Sequence, residues 1–431
     1  MLIKKIIRIS FIVLTCSILS NCETSQNYQL ESYSSGQSFD NKNNSTLMSE
    51  GNLDDFNQIY KNEKEEIDLL NVGLLLPLSG EHYLIGASLL NSAQLALDKT
   101  RPGNIIFHVA DTGDPNAVLQ NFYNIIQNDL DLIIGPVFSE NIKKIRNVLK
   151  EKNLLAVTLS NNSLMENKNT FVFGLTLQNE INTLLEYSEQ INLKEYVVII
   201  PDSQFGNNIK NTIVNLQSIY NTKNFRFIYY DPQSPDYYGV SKAVSRYEER
   251  KINLEKQIEL MKSFNTDAAK KELKRLSKLD TFGKLDFEAI IIFAEKYSDI
   301  SNFSSILPYY DVDPKRIQYI SNSILARDMT LKEPGLKNVY FTSLNIGEKK
   351  KFEKDYSLLF NNKPHKLSTL TYDIVGLISK IYNETGDIQS IFNSDSGFIG
   401  LDGWFKFSSD GNVIRRPNIY QIKNEKFVKI Y

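Results

Sequence analysis

The stretch Val72–Gly80 reads VGLLLPLSG, and Gly86 follows it at the start of a run with helical periodicity. A buried strand, a Ser-Gly turn and a helix N-terminus in that order predict a ledge of backbone N–H groups suited to a carboxylate or another polar group. The stretch lacks the Gly-Lys-Ser/Thr of a Walker loop and the Gly-x-Gly-x-x-Gly of a dinucleotide site. Ser79 is therefore a candidate ligand contact at the end of a first parallel strand.

Strand–helix units of this kind continue along the chain. Apolar runs predict buried strands at 72–76, 105–110, 132–134, 154–158 and 171–173, with helices at 84–100, 114–129, 139–152 and 179–192. A second set of predicted strands follows at 196–200, 225–230, 289–294, 317–320 and 339–342. This alternation predicts mainly parallel sheets that are covered on both faces by helices. Two sheets of about five strands each are more than one compact domain usually contains. We therefore predict an α/β fold with two lobes.

A charged helical segment at 240–280 interrupts the second set of strands. Its apolar residues recur at helical spacing, and Ser263–Asp267 breaks it with capping residues. The pattern predicts an antiparallel helical hairpin inserted into lobe 2. The hairpin either packs on its own lobe as a solvated face or projects as an arm towards a partner. We predict lobe 1 at 69–175 and 322–395, and lobe 2 at 176–321 and 396–431.

The N-terminus has the layout of a secretory signal. Lys4, Lys5 and Arg8 precede the apolar run Ile9–Leu19, which is shorter than the roughly 20 residues that span a bilayer. The run ends in the sequence LSNC, which resembles a bacterial lipobox. It predicts a lipoprotein signal peptide at 1–21 and lipidation of Cys22. An ordinary cleaved signal peptide is the alternative.

Residues 22–68 predict a disordered tether. They are dominated by Ser, Asn, Gln, Asp and Glu, and have too few apolar residues to offset the conformational entropy lost on folding. As a flexible coil the tether would span about 35–40 Å. Glu23 stands where enteric bacteria place the Asp that retains lipoproteins at the inner membrane. We therefore expect a lipid-anchored protein on the periplasmic face of the envelope, at the outer membrane.

The composition argues against several function classes. A formal net charge of −2 provides no global field to attract nucleic acid. Cys16 and Cys22 are the two cysteines, so the predicted domain has no thiol nucleophile or thiolate metal site. His82, His108 and His365 lie far apart, and no nucleophile elbow or His-Glu-x-x-His motif occurs. We predict a non-enzymatic protein with no catalytic residue, metal, cofactor or nucleic-acid partner.

Polar and glycine-containing turns follow the predicted strands in a fixed order. They are Asp111–Pro115, Gly135–Ser139, Thr158–Asn162, Phe173–Gln178, Pro201–Gly206, Leu307–Tyr310, Thr371–Asp373 and Gly397–Gly403. In the first of them, Asp114 is predicted to be the N-cap of the next helix and Pro115 its first residue. With Val72–Gly80, the ordered set resembles the type I periplasmic-binding-protein superfamily, in its leucine/isoleucine/valine-binding branch. More narrowly, it is similar to the penicillin-binding-protein activator lipoproteins of Gram-negative bacteria.

The resemblance implies a two-lobed receptor whose lobes, joined by three chain crossings, close on a ligand at the carboxyl ends of the strands. In amino-acid-binding relatives, the turns after the third and fourth strands hold the ligand's carboxylate and amine. Those turns correspond here to Ser139 and to Ser160, Asn161 and Asn162. Phe205 takes the place of an aromatic residue that packs over the ligand.

At two further positions the implied site matches the amino-acid-binding relatives less closely. An acidic residue binds the amine in the relatives, and Glu295 or Asp299 could serve here. Pro136 and Phe138 make the turn after the third strand bulkier and more apolar than a typical amino-acid site. Whether an amino acid binds in the cleft is therefore left open.

Two functions of different classes follow from the resemblance. The first is a non-catalytic envelope lipoprotein that docks onto a peptidoglycan synthase, a penicillin-binding protein, and stimulates it. The activator-like sequence, the tether and the helical insertion favour it. The alternative is the substrate-binding protein of an ABC transporter for amino acids or similar small solutes. The shared fold and the turns at Ser139 and Ser160 favour that alternative.

Overall fold

The computed structural model describes residues 69–100, 104–220, 223–347 and 349–431. These residues belong to the compact unit Glu66–Tyr431. The predicted signal peptide, the lipidation site Cys22 and the tether lie outside the described residues and remain predictions. Within the described ranges, no helix has both the length and the hydrophobicity needed to span a bilayer.

Lobe 1 contains a five-stranded parallel sheet. Its strands are β1 (Leu70–Leu76), β2 (Ile105–Asp111), β3 (Leu132–Ile134), β4 (Leu155–Thr158) and β5 (Thr170–Val172). They lie in the order β2-β1-β3-β4-β5, and all neighbours pair in parallel. Residues 72–76 of β1 are all buried, as expected for a strand covered on both faces. The five strands predicted for the first set are confirmed.

Helices flank both sheets. In chain order they are α1 (Tyr83–Thr100), α2 (Val118–Ile126), α3 (Ser139–Glu151), α4 (Leu177–Gln190), α5 (Gln204–Gln217), α6 (Tyr237–Ser245), α7 (Tyr247–Ser263), α8 (Asp267–Leu276), α9 (Tyr297–Ile306), α10 (Lys350–Phe360), α11 (Ser368–Thr385) and α12 (Gln389–Phe392). The prediction that Asp114 caps the second helix is wrong, because α2 begins only at Val118. Asp114 Oδ1 instead accepts the N–H of Asn116 at 2.9 Å in the preceding turn.

Lobe 2 contains a seven-stranded mixed sheet. The remaining strands are β6 (Glu195–Pro201), β7 (Asn224–Tyr230), β8 (Ala289–Ile292), β9 (Gln318–Ser321), β10 (Tyr340–Ser343), β11 (Phe398–Gly400), β12 (Gly403–Phe407), β13 (Val413–Arg415), β14 (Asn418–Lys423) and β15 (Lys426–Lys429). The sheet order is β15-β14-β10-β9-β8-β6-β7. Strands β6 to β10 pair in parallel, and β14 and β15 add an antiparallel edge. The second set of predicted strands is confirmed.

Two of the predicted lobe boundaries are wrong. The segment 322–343 is predicted for lobe 1, but its strand β10 pairs with β9 and β14 in the second sheet. The segment 396–415 is predicted for lobe 2, but it forms a three-stranded sheet, β11-β12-β13, against the lobe 1 core. Its inward side chains Phe405 and Phe407 are buried there, and the ring of Phe405 meets Phe173 edge-on at 4.9 Å.

The chain passes between the lobes three times, as the resemblance implies. The first crossing lies between β5 and α4, the second between β10 and α10, and the third between β13 and β14. Helix α4 packs on the second sheet through Ile181 and Leu184, whereas α10 packs on α1 through Phe352 and Tyr356. The three connecting segments therefore form the hinge between the lobes.

The predicted helical hairpin is present as α7 and α8. Thr266 caps α8, its Oγ1 accepting the N–H of Ala269 at 3.2 Å. Leu254 is the buried residue of α7, and Ala269 and Leu276 are those of α8. Because the two helices bury these residues mainly against each other, residues 247–279 form a largely exposed arm on lobe 2. This arrangement favours the projecting arm over the face packed on its own lobe.

Candidate functional site

The carboxyl ends of β1, β3 and β4 lie side by side at one edge of the lobe 1 sheet, because these strands are adjacent and parallel. The turns after them carry the candidate ligand contacts of this lobe. Ser79 is exposed, Ser139 is half-buried and Ser160 is buried. The fold brings these three residues to the same edge of the sheet.

A side chain of the protein itself occupies the backbone ledge after β1. Asp111 Oδ1 accepts the N–H groups of Leu78 at 2.7 Å, Ser79 at 3.2 Å and Gly113 at 2.7 Å, an arrangement that we call the Asp111 clasp. Burial favours a higher pKa for Asp111, but hydrogen bonds from Ser79, Gly113 and Leu78 outweigh burial and hold the pKa below its ordinary value. A resident carboxylate thus takes the place that the sequence suggests for a ligand.

The substitution Asp111→Ala is expected to lower the free energy of unfolding by about 2 kcal/mol, because three backbone donors lose a charged acceptor. Chemical denaturation followed by circular dichroism measures the loss. Asp114→Ala is the matched control: its carboxylate accepts one local N–H in an exposed turn. We expect that control to cost less than about 1 kcal/mol. Equal losses in the two variants would contradict the role of the clasp.

An aromatic contact joins the turns after β1 and β3. The ring of Phe138 lies 4.7 Å from the ring of His82, and Phe138 also packs against the lobe 1 core. Ser139 begins α3, and its hydroxyl has no hydrogen-bond partner among the described residues. The bulky side chain predicted to alter this turn therefore contacts the neighbouring turn, beside a free serine hydroxyl.

The polar residues after β4 are engaged in local capping. Ser160 Oγ accepts the N–H of Asn162 at 3.1 Å, and Asn162 Oδ1 accepts the N–H of Leu164 at 3.1 Å. The carbonyl of Ser160 accepts the N–H of Gly174 at 2.9 Å, which ties this turn to the first crossing. Asn161 is exposed. Of the three residues that the resemblance places against a ligand in this turn, two thus serve the turn itself.

In lobe 2 two of the three candidate ligand contacts are engaged internally. Phe205 is half-buried and packs against the core between the second sheet and its helices. The buried carboxylate of Asp299 accepts the hydroxyls of Tyr230 at 3.0 Å and Tyr237 at 2.8 Å. Glu295 is exposed after β8. Among the described residues, no hydrogen bond or ring contact joins Phe205 to the lobe 1 edge.

A buried arginine lies where the three crossings meet. Arg415, on the third crossing, is 2% exposed, and its guanidinium lies 4.1 Å from the ring of Phe173 and 5.3 Å from that of Phe405. Its Nε donates to the carbonyl of Phe173 on the first crossing at 2.8 Å. Its backbone N–H donates to Asn179 Oδ1 at 3.1 Å, at the start of α4. Nη1 and Nη2 have no partner within the described part of the chain.

Two carboxylates and a lysine complete this hinge cluster. Asp402 pairs with Lys349 on the second crossing, and its other oxygen accepts the hydroxyl of Thr369 at 2.7 Å. Asp373 accepts the N–H groups of Leu401 at 2.8 Å and Asp402 at 3.2 Å. Burial, together with the nearby charge of Asp402, raises the pKa of Asp373 to about 7. Charged residues from lobe 1 and from two crossings therefore meet at the hinge.

Comparisons with known proteins agree with this architecture. Residues 70–253 match the family model described as periplasmic binding protein. The structure of a branched-chain amino acid ABC transporter ligand-binding protein from Burkholderia xenovorans superposes with a TM-score of 0.62 at 12% identity, over 84% of this chain and 94% of that one. The chain has the fold of a type I periplasmic binding protein. The leucine-binding protein LivK from Thermotoga maritima shares this fold, with a TM-score of 0.52 and 15% identity over 84% of this chain and 98% of that one.

Two further proteins are similar to this chain. The C-domain of LpoA from Haemophilus influenzae, described as a regulator of PBP1A, superposes with a TM-score of 0.56 at 16% identity, over 84% of this chain and all of that domain. An uncharacterized protein of Rickettsia prowazekii is 22% identical over 158 residues. That match spans 42% of the relative's length and 37% of this chain. At these identities the comparisons establish the fold alone.

An open groove of about 720 Å³ lies at the base of the arm on lobe 2 of this periplasmic-binding-protein fold. The basic residues that line it are paired. Arg226 and Arg246 contact the Asp286 carboxylate at 3.2 and 2.9 Å, and Lys242 contacts Glu248 at 3.5 Å. The charges around the groove therefore bind one another and fix the base of the arm.

Sequence reasoning missed Arg415, Lys349 and the pairing of Asp373 with the turn at Asp402. The motifs Thr371–Asp373 and Gly397–Gly403 marked two of these positions, but they gave no sign that both motifs meet at the hinge. An arginine in a short alternating strand has no sequence signature for burial. In the described ranges, no group of three His, Cys, Asp or Glu side chains could hold a metal ion.

Proposed function

We propose that the protein is a non-catalytic envelope lipoprotein that binds a peptidoglycan synthase of the penicillin-binding-protein class and stimulates it. In this proposal the lipid on Cys22 anchors the chain to the outer membrane, and residues 22–68 let the two-lobed domain reach its partner. The observation that carries the proposal is the arm, residues 247–279, which leaves lobe 2 with three buried residues along its two helices.

Internal contacts at the strand ends support a protein partner over a solute. The Asp111 clasp takes the backbone donors of the first turn, and the hydroxyls of two tyrosines take both oxygens of Asp299. Phe205 packs into its own lobe rather than standing free as a lid over a ligand. The likeness to the LpoA C-domain, described as a regulator of PBP1A, points the same way.

Shortening the arm is the experiment that tests the proposal. Replacement of residues 257–272 by a short Gly-Ser linker keeps Leu254 and Leu276 in place. We expect the shortened protein to lose binding to a purified bifunctional penicillin-binding protein by at least about tenfold, because an interface concentrates its energy in a few residues. Surface-bound synthase and stimulation of glycan-strand synthesis are the two measurements.

Ser160→Ala is the matched control for that experiment, because it changes the candidate cleft and leaves the arm intact. It should bind and stimulate the synthase like the wild type. Calorimetry of the wild-type protein against the common amino acids is expected to show no binding. Tight amino-acid binding that Ser160→Ala abolishes would contradict the regulator and favour the transport function.

The substrate-binding protein of an amino-acid ABC transporter is the second candidate. The hydroxyl of Ser139 at the N-terminus of α3 has no partner in the described part of the chain and favours this candidate, since such a position suits a ligand's carboxylate. The likeness to the Burkholderia xenovorans ligand-binding protein also favours it. Under this alternative the shortened arm would leave amino-acid binding unchanged, and no synthase would be bound.

A further inference from the structure

The second helix of the arm carries four cations on its outer face. Lys270, Lys271, Lys274 and Arg275 of α8 fall within an arc of about 140°, at 3.6 residues per turn. All four side chains are exposed. We call them the basic stripe. The arm as a whole, residues 247–279, contains nine basic and six acidic side chains, a net charge of +3, whereas the full chain has a net charge of −2.

Half of the stripe has no acidic partner. Lys270 pairs with Asp267 at 3.4 Å, and Arg275 pairs with Glu272 at 2.5 Å. Lys271 and Lys274 form no ion pair within 4.0 Å in the part of the chain that the structure describes. Two adjacent unpaired cations on a projecting helix are available to an anionic surface outside the molecule.

The way α8 packs decides which kind of anionic surface fits it. A helix that lies on a membrane must offer its apolar face to the lipid. In α8 that face, with Ala269 and Leu276, is buried within the arm. At the tip, Leu260 and Phe264 are 47% and 51% exposed. Exposed apolar anchors on the same arm as a row of solvated charges resemble the centre and rim of a protein interface.

We infer that the basic stripe of α8 docks onto an acidic surface of the protein partner, with Phe264 and Leu260 at the tip of the arm as apolar anchors. The inference rests on the proposed function and adds to it the chemistry of the contact. Complementary charge sets the orientation and the association rate of such a contact, and it repels partners that carry a basic surface. Binding should therefore weaken as salt rises, because screening acts on exposed charges.

The test reverses the two unpaired charges. Lys271→Glu/Lys274→Glu in the full-length protein is compared with Lys351→Glu/Lys354→Glu on α10, which has the same spacing, exposure and charge change on another surface. We expect the stripe variant to lose affinity for the purified synthase by at least about tenfold. The control variant should stay within about twofold of the wild type, since a distant surface charge acts weakly through the screened solvent.

Three outcomes would overturn the inference, and they differ. If the stripe variant binds the synthase like the wild type, the stripe is not the contact, although the proposed function stands. If the wild type binds no synthase, the proposed function is wrong, and the inference that rests on it is wrong as well. If the wild type binds phosphatidylglycerol vesicles and the stripe variant does not, with equal synthase binding, the stripe serves a membrane. Circular dichroism of each variant verifies that the arm remains helical.

Discussion

Arg415→Ala is expected to lower the free energy of unfolding by about 3 kcal/mol. The substitution leaves a cavity between the rings of Phe173 and Phe405 and removes the cation beside Asp373 and Asp402, and losses of this kind each cost about 2–5 kcal/mol. The substitution also removes two buried guanidinium nitrogens that lack hydrogen-bond partners, which offsets about 1–3 kcal/mol of that cost. Urea unfolding monitored by circular dichroism measures the net change.

Two further variants separate packing from charge in this prediction. Arg416→Ala is the neighbouring control, since Arg416 is exposed and lies 5.5 Å from the ring of Trp404. It should cost less than about 1 kcal/mol. Arg415→Met fills the space between the rings without a charge, so we expect a loss smaller than that of Arg415→Ala. A wild-type stability in Arg415→Ala would show that the arginine does not hold the hinge.

The second large effect is a decrease in stability as the pH rises from about 4 to about 7. Burial raises the pKa of Asp373 from 3.8 to about 7 in the folded protein. The folded state therefore keeps this proton over a range in which the unfolded state has lost it. The stability that the group contributes is fully present below the unfolded pKa and is lost as the pH rises through the folded pKa. Between these two pKa values the free energy of unfolding falls by about 1.4 kcal/mol per pH unit, about 4 kcal/mol in all.

Asp373→Asn tests this prediction, because an amide cannot ionise. The charges that face Asp373 are Asp402 and Arg415, and both are retained in the variant. We expect the unfolding free energy of the variant to fall by about 4 kcal/mol less between pH 4 and pH 8 than that of the wild type. Burial and the charge of Asp410 also raise the pKa of Glu166 to about 7, so Glu166→Gln is the second arm of the test. An unchanged slope in Asp373→Asn would show that its carboxyl ionises normally in the fold.

The elements of the fold were largely predictable from local pattern. Central strands of the two parallel sets, such as Leu70–Leu76 and Glu195–Pro201, are nearly continuous apolar runs, and burial on both faces leaves that mark in the sequence. The helical insertion was equally visible, because Thr266 and the residues before it interrupt its apolar repeat. Local pattern therefore sufficed wherever an element is buried against helices.

The lobe to which the later segments of the chain belong was not predictable in the same way. Strand β10 reads as any buried strand, and its place beside β9 depends on pairing that no local pattern encodes. Strand β12 alternates buried and half-buried residues, and its tertiary contacts, such as those with Phe173 and Phe171, assign it to lobe 1. Membership of a lobe is a tertiary property, so the predicted boundaries at 322 and 396 failed although the elements did not.

The candidate site was predictable in position and less so in chemistry. Parallel strands bring Ser79, Ser139 and Ser160 to one edge, as their place after apolar runs suggests. At the first of these turns, which backbone donors are already bonded depends on a side chain that lies far along the chain. Asp111 is 33 residues from Leu78, and its carboxylate could not be assigned to that turn from spacing.

The Asp111 clasp competes with any external anion for the backbone N–H groups of the ledge after β1. Its carboxylate is delivered to the ledge by the same strand pairing that forms the sheet, so it acts as an intramolecular ligand with an effective concentration of at least about the millimolar order. A free solute with a carboxylate would have to displace it from donors that it already fills. Asp111 thus competes with any such solute for these donors, and Asp111→Ala would leave the three N–H groups open to an external anion.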